Sequence, residues 1–373
     1  MPLYHSSASV LGFCMTLIIG GTICIGKSFS TKTFWKDCRS SNATAIQYVG
    51  ETCRYLLAAP PEIDPDTGEN LDRKHQVRMA FGNGLRPDIW NRFKDRFGIA
   101  EIAEFYSATE GTSGAWNFSR NDFSKGAIGR VGMVGRLLSN STAAIVELDW
   151  ETEQPWRDPI TKLCRRAELG APGELLFAID AQDIESKFQG YYNNKSSTES
   201  KILRDVLAVG DAWFRTGDMI IKDAEGRTYF SDRIGDTFRW KAENVSTNEV
   251  SEALGNHSSV REANVYGVEL PHHDGRAGCV AIVLTEEPSE RVLNDLARHA
   301  QERLPRFAVP IFLRLIKEMQ ITGTNKHQKH VVRTQGVDPD KVGDDVLYWL
   351  KDGTYVKFTR DDWKELNAGQ VKL

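Results

Sequence analysis

The six cysteines, at positions 14, 24, 38, 53, 164 and 279, contain no CxxC spacing and form no dense framework. That excludes a disulfide scaffold or a zinc ribbon and fits reduced thiols in an intracellular protein. Charge of one sign is lacking too. Against 47 Lys and Arg stand 51 Asp and Glu, a net charge of −4, so nucleic acid is excluded as the main partner. No basic segment precedes the first apolar run, and no small-residue cleavage site with a polar flank follows it, which excludes an ordinary signal peptide. His272-His273-Asp274 has no further spaced ligands around it and reads as a loop, not a metal site.

What is present suffices for a sizeable core. Of the 373 residues, 40% are hydrophobic and 26% charged, which suits two or three globular domains. Residues 10–26 (VLGFCMTLIIGGTICIG) carry no charge, and their length reaches only the lower edge of a membrane span. They read as a buried helix followed by a buried strand, broken at Gly20-Gly21, with membrane contact as the alternative. Within the run, residues 21–28 fit the GxxxxGK[ST] phosphate-loop pattern, and 175–180 would pass for its metal-binding strand. The loop interior, Thr-Ile-Cys-Ile, is β-branched and prefers an extended strand to a cradle of bare N–H groups. A phosphate-loop nucleotidase therefore stays a minor alternative.

Further along, 42–58 has apolar positions at helical spacing and reads as a helix, with a short strand before it as the alternative, and 60–74 is a polar, proline-bearing loop. Residues 77–81 read as a strand entering the turn Gly82-Asn83-Gly84, followed by a helix over 88–97. Such strand, glycine turn and helix order is the α/β layout in which ligands collect at the carboxyl ends of strands. Residues 102–106 form another short strand and run into the small polar turn 107–111. Glu110, just beyond that strand, suits Mg²⁺, which takes one or two carboxylates and leaves other positions to phosphates; an exposed loop carboxylate is the plainer interpretation.

From 126 to 230 the texture changes to short apolar runs such as AAIVELD, GELLFAID and RTYFSDR, separated by turn residues. This predicts a small antiparallel sheet or barrel, with a turn over 189–194, a short helix over 198–207 and a hairpin turn over 223–226. After Arg233 a compact α+β unit follows. Its expected elements are a helix capped by Ser246 with Glu249 at the capping-box spacing, strands over 263–270 and 279–284, a helix over 290–303 and a strand over 312–316.

The stretch 213–249 holds the most signals. Asp218 follows a glycine that allows a tight turn, so its carboxylate would stand at a loop edge, suited to a diol such as a ribose. Residues 322–333 form a glycine turn and a basic segment, which is either a solvated helix or a lysine delivered to an anionic group.

Seven stretches together resemble the adenylate-forming superfamily, in particular its fatty acid transport protein, or very-long-chain acyl-CoA synthetase, branch. They are PLYHS at 2–6, GNGLRPDIW at 82–90, EFYSATEG at 104–111, WFRTGD at 213–218, FSDRIGDTFRWKAENVS at 230–246, HDGRAG at 273–278 and ITGTNKHQK at 321–329. They lie in the family's order across nearly the whole chain. The resemblance implies an α/β fold: part of an adenylate-forming N-terminal domain, with α/β layers and a small β-barrel, and a smaller α+β C-terminal domain. The implied segments are 1–125, 126–234 and a mobile 235–373.

It also implies ATP-dependent activation of a long- or very-long-chain fatty acid to its CoA thioester through an acyl-adenylate, with ATP, Mg²⁺ and CoA as cofactors. Gly82, Asn83, Gly84 and Tyr106 would border the adenine. Thr109 would lie near the α-phosphate, Glu110 would hold Mg²⁺, and Asp218 and Arg233 would bind the ribose. Gly235 and Asp236 would be the hinge. Lys326, with Lys329 as the second candidate, would serve adenylation, and Lys241, Ala242 and Glu243 would line the approach of the thiol. Peripheral contact with an intracellular membrane (endoplasmic reticulum, plasma membrane, peroxisome or lipid droplet) belongs to the same implication.

Two departures qualify it. The family's Ser/Thr/Gly-rich phosphate loop is not found in these residues, which is the expectation for an N-terminally truncated chain. Ala242 stands where the superfamily usually has Gly; a positive φ there would cost about 1 kcal/mol. A non-catalytic fatty acid transport or binding protein that retains the fold remains the competing interpretation.

Overall fold

A computed structural model describes residues 1–108, 110–135, 141–150, 152–319 and 329–373. The chain forms two compact units, Met1–Phe230 and Ser231–Leu373.

In the first unit, strands β1 (Ala45–Val49), β2 (Met79–Asn83), β3 (Glu101–Ser107) and β4 (Gly114–Ser119) make a sheet in that order. β1–β2 and β2–β3 are parallel, and β3–β4 is antiparallel. Helix Gly50–Ala58 follows β1 and helix Pro87–Phe97 follows β2. The second helix starts with proline at its first turn and ends on Gly98 at φ +68°, the usual pairing of a preset start with a left-handed stop. It buries Ile89, Trp90, Phe93 and Phe97 against Ile102 of β3 and Leu56 of the first helix. Each such side chain contributes about 1.5–3 kcal/mol by leaving water.

The remaining strands up to Arg233 are antiparallel, as the turn-rich texture predicts, and all but β9, β11 and β12 have four residues or fewer. They are β5 (Gly129–Arg130), β6 (Ala143–Val146), the small pair β7 (Leu148–Asp149) and β8 (Gln154–Pro155), β9 (Pro172–Ile179), β10 (Ile202–Arg204), β11 (Ala212–Lys222) and β12 (Arg227–Arg233). The larger sheet runs β5-β12-β11-β9-β6, with β10 beside β11.

The second unit opens with hairpin β13 (Phe238–Trp240) and β14 (Glu243–Val245), then helix Thr247–Gly255. Strands β15 (Val260–Glu269), β16 (Arg276–Leu284), β17 (Phe312–Leu315), β18 (Val346–Lys351) and β19 (Thr354–Lys357) form one sheet in that order. β16 and β17 are parallel, and helix Glu290–Arg303 lies between them in the chain. The fold is mixed α/β, as the sequence implies.

Three local expectations are corrected. Residues 10–26 are not a buried helix and strand. A π-helical segment, Ser7–Cys14, passes into the short helix Met15–Ile18, and no strand follows. Ile18 and Ile19 are about three-quarters exposed. The segment is anchored at Ser7, whose carbonyl accepts from Gln47 Nε2 at 2.8 Å. Among the described residues no helix is long and apolar enough to cross a membrane. The phosphate-loop match at 21–28 has no strand before it, and the next helix, Phe34–Ser40, begins six residues later; residues 175–179 lie within antiparallel β9.

The helix expected over 198–207 is replaced by helix Lys195–Ser200 and strand β10. Asn194 Oδ1 caps the helix early, and Ile202 pairs opposite Phe214. Finally, Gly82 and Asn83 belong to the end of β2 instead of a turn, leaving Gly84, at φ +77°, to make the bend.

Candidate functional site

β11 does not run straight. Its register against β9 shifts between Arg215 and Met219, and the bulge throws out Thr216-Gly217-Asp218. Gly217 sits at φ +78°, a conformation that L side chains resist. Thr216 Oγ1 donates to Leu175 O (2.7 Å) and accepts from Asp218 N (3.0 Å). Asp218 is 4% exposed, and its Oδ2 accepts from the Tyr106 hydroxyl at 2.7 Å. Two residues singled out 112 positions apart in the sequence are thus in direct contact.

The bulge is held from beneath by Glu174 on β9. This carboxylate is fully buried and accepts from Arg215 Nε at 2.8 and 2.9 Å and from Gly217 N at 3.1 Å. Burial pushes the Glu174 carboxyl above its usual range, while the Arg215 guanidinium and the Gly217 N–H pull it back.

Tyr106 lies at the end of β3, and Glu110 in the turn after it. Glu110 Oε1 accepts from the Tyr191 hydroxyl at 3.0 Å. Glu110 is half-buried at a strand end, with hard oxygen donors suited to Mg²⁺ alongside substrate phosphates. Among the described residues no group of three His, Cys, Asp or Glu side chains is gathered for a metal. Thr109 and Lys326 lie outside the described residues. Gly82 and Asn83 end β2 alongside β3, and Gly84 turns outward after them.

In the second unit, Arg233 is exposed, and its neighbour Asp232 is buried, capping helix Thr247–Gly255 through Thr247 Oγ1 at 3.0 Å. The expected hinge residue Asp236 is gripped by two cations. Lys329 Nζ lies 3.1 Å from Oδ2 and Arg333 Nη2 lies 2.9 Å from Oδ1, while Arg333 Nη1 donates to Gly235 O at 3.3 Å. Lys329 Nζ also donates to Thr247 Oγ1 at 2.7 Å. Lys241 and Ala242 form the two-residue loop of the β13–β14 hairpin. Both have positive φ, +52° and +67°, as a primed turn requires. They and Glu243 are exposed.

The chain matches the AMP-binding enzyme profile over residues 1–192 and the AMP-binding enzyme C-terminal domain profile over residues 249–326. It belongs to the AMP-binding enzyme family.

A very long-chain fatty acid transport protein of Cochliobolus heterostrophus is 40% identical over 379 residues, taking in 100% of this chain and 57% of that protein. The Saccharomyces cerevisiae protein of the same name is 39% identical over 382 residues, with 100% and 56% covered. Isopenicillin N epimerase component 1 of Hapsidospora chrysogena is 40% identical over 384 residues, with 99% and 61% covered. The chain therefore spans somewhat over half the length of the curated relatives it matches. Among solved structures, ATP-bound MatB from Rhodopseudomonas palustris aligns with a TM-score of 0.68 at 19% identity, over 90% of this chain and 58% of that one. The amide bond synthetase McbA from Marinactinospora thermotolerans aligns with a TM-score of 0.64 at 22% identity, over 88% and 60%. These two likenesses speak for the fold.

Several polar residues of this AMP-binding enzyme escape a reading by motif. Glu174, Arg215, Tyr191 and Glu104 all act through partners far along the chain. For Glu174, Arg215 and Glu104 the one local signal is a charge inside an otherwise apolar strand, as in GELLFAID and IAEFY, where a buried strand should be continuously apolar; Tyr191 lies in no strand and has no such signal.

Proposed function

We propose that this AMP-binding enzyme activates a long- or very-long-chain fatty acid to its CoA thioester through an acyl-adenylate. The observation that carries the reading is the Tyr106–Asp218 hydrogen bond at the bulged turn of β11, which joins two motifs of the family into one polar site. The similarity to two fatty acid transport proteins over the whole chain supports the acid class.

In this mechanism the fatty acid carboxylate attacks the α-phosphorus of ATP and pyrophosphate leaves. The CoA thiol then attacks the acyl carbon, loses its proton to solvent, and AMP leaves. Gly82, Asn83, Gly84 and Tyr106 border the adenine, and Asp218 and Arg233 take the ribose hydroxyls. Thr109 faces the α-phosphate. Glu110 would hold Mg²⁺, whose charge would offset that of the phosphates. Lys326 brings a point charge to the acyl carboxylate and α-phosphate. Residues 235–373 turn about Gly235 and Asp236, bringing Lys241, Ala242 and Glu243 to the thiol's path, so that one cleft serves both steps. Residues 1–125 and 126–234 form the fixed side.

The test is binding of palmitoyl-sulfamoyl-adenosine, followed by thioester formation from palmitoyl-AMP and CoA. Binding and turnover are expected; absence of both removes the reading. Binding without turnover would favour the non-catalytic fatty-acid-binding alternative. Because one relative of equal identity is named for isopenicillin N epimerisation, a panel of other acyl-adenylates belongs in the same assay. Peripheral membrane contact is part of the proposal, through the exposed Val10, Leu17, Ile18, Ile19 and Ile25. Flotation with lipid vesicles should be lost in Ile18→Asp, and flotation unchanged by that substitution would remove this contact.

A further inference from the structure

Glu104 sits in the middle of β3 with 2% of its surface exposed, where an apolar residue would be expected. A buried carboxyl must satisfy its oxygens locally, and this one does so with three donors. Oε1 accepts from the backbone N–H of Gly84 and, at 3.3 Å, from that of Leu85; Oε2 accepts from the hydroxyl of Tyr48 on β1. The bend that follows β2 is therefore tied to its neighbour β3 by a side chain, beyond the point where the β2–β3 ladder ends at Gly82 opposite Glu104.

Packing closes the same bend from the other side. A Cβ placed on Gly50, at the start of the helix after β1, would stand 1.7 Å from Gly84 O. Gly84 is exposed and in the left-handed region, so without these restraints its N–H and carbonyl would be free to reorient. Two residues beyond Glu104, hence on the same side of β3, comes Tyr106, which meets Asp218. One strand thus holds the glycine bend with one side chain and the bulged turn with the next.

We infer that Glu104 is a positioning residue: buried beneath the site, it fixes the backbone of Gly84 and so the edge against which the adenine is recognised. The inference rests on the nucleotide reading above and extends it to base selectivity. Glu104 touches no substrate. Its contribution is pre-organisation, since a bend that is already set need not be ordered when the base arrives.

The experiment compares palmitoyl-sulfamoyl-adenosine with its inosine counterpart by calorimetry at neutral pH, in the full chain and in Glu104→Leu, Glu104→Gln and Tyr48→Phe. Leucine keeps the bulk and removes both acceptors. It is expected to lower affinity for the adenosine compound roughly tenfold and to bring the two compounds toward equal affinity. Glutamine keeps an acceptor for Gly84 N–H and should stay within about twofold of the parent, a rescue that a loss through packing alone would not show. Amide exchange at Gly84 and Leu85 should quicken in Glu104→Leu even without ligand.

A folded Glu104→Leu protein with unchanged base selectivity would overturn the inference while leaving the nucleotide reading in place. If that variant does not fold, Tyr48→Phe decides, because it frees one side of the carboxyl: reduced selectivity supports the inference and unchanged selectivity overturns it. Failure of the parent chain to bind the adenosine compound would overturn the nucleotide reading, and this inference with it.

Discussion

The Tyr106 hydroxyl donates to Asp218 Oδ2 at 2.7 Å, across 112 residues of sequence. If this carboxylate takes a ribose hydroxyl, Asp218→Ala should weaken palmitoyl-sulfamoyl-adenosine about 10- to 100-fold, the range for a hydrogen bond to a charged group. Tyr106→Phe should cost less, about threefold to tenfold, because it loosens the carboxylate without removing it. Calorimetry on the two variants checks this, and equal affinity in Asp218→Ala and the parent would take Asp218 out of the site.

The sequence was most legible where local chemistry and long-range packing agree. Ser246 reads as a helix cap and accepts from Glu249 N at 3.2 Å; proline and Gly98 bracket helix Pro87–Phe97. Legibility failed where a decision depends on a distant partner. Ile202 has no local reason to leave a helix and does so because Phe214 offers it a strand to pair with. Residues 10–26 carry an apolar pattern without a side, so their burial could not be deduced from periodicity. The hairpin of β18 and β19 gave no motif at all. The TGD turn was visible as a turn, but Glu174 beneath it was not, since its role consists of contacts with Arg215 and Gly217 more than 40 residues away.

Ala242 occupies a position at φ +67° that favours glycine. Ala242→Gly should relieve the clash of Cβ with the backbone, offset in part by the greater freedom of glycine in the unfolded chain. A net gain of about 0.5–1 kcal/mol is expected. Denaturant unfolding of the parent and variant measures it. A loss of stability would show that the surrounding hairpin has adapted to the methyl group.

Lys329 and Arg333 both hold Asp236, and Lys329 also holds Thr247. A lysine committed to these partners is a poor candidate for the reacting phosphate, and Lys326 remains the proposed residue for that role. In a form of the protein that carries the family's Ser/Thr/Gly-rich phosphate loop, Lys326→Ala should suppress fatty-acid-dependent ATP–pyrophosphate exchange more than thioester formation from supplied palmitoyl-AMP. Equal loss in both steps would remove the assignment. Asp236→Asn should leave each unit folded, because all three charges are partly exposed and such pairs contribute only about 1 kcal/mol, yet it should alter the ratio of the two half-reactions if the pivot lies there. An unchanged ratio would place the pivot elsewhere.

Burial pushes the Glu104 carboxyl up from 4.5 to about 8, against hydrogen bonds from Tyr48, Gly84 and Leu85 that favour its ionised form. The titratable groups facing it are the Tyr48 hydroxyl and the Cys53 thiol, both themselves raised by burial. Since the folded protein holds this proton more tightly than the unfolded chain, the native state binds the extra proton between about 4.5 and 8, and stability falls with rising pH across that window. The contribution is complete below 4.5 and lost as pH rises through about 8. Glu104→Gln has no proton to lose and should flatten this part of the curve, by an amount on the order of a few kcal/mol between its two ends. Urea unfolding at intervals from pH 5 to 8.5 measures both slopes. Parallel curves for parent and variant would mean that Glu104 titrates alike in the folded and unfolded chain, and that its burial is relieved by solvent reaching β3.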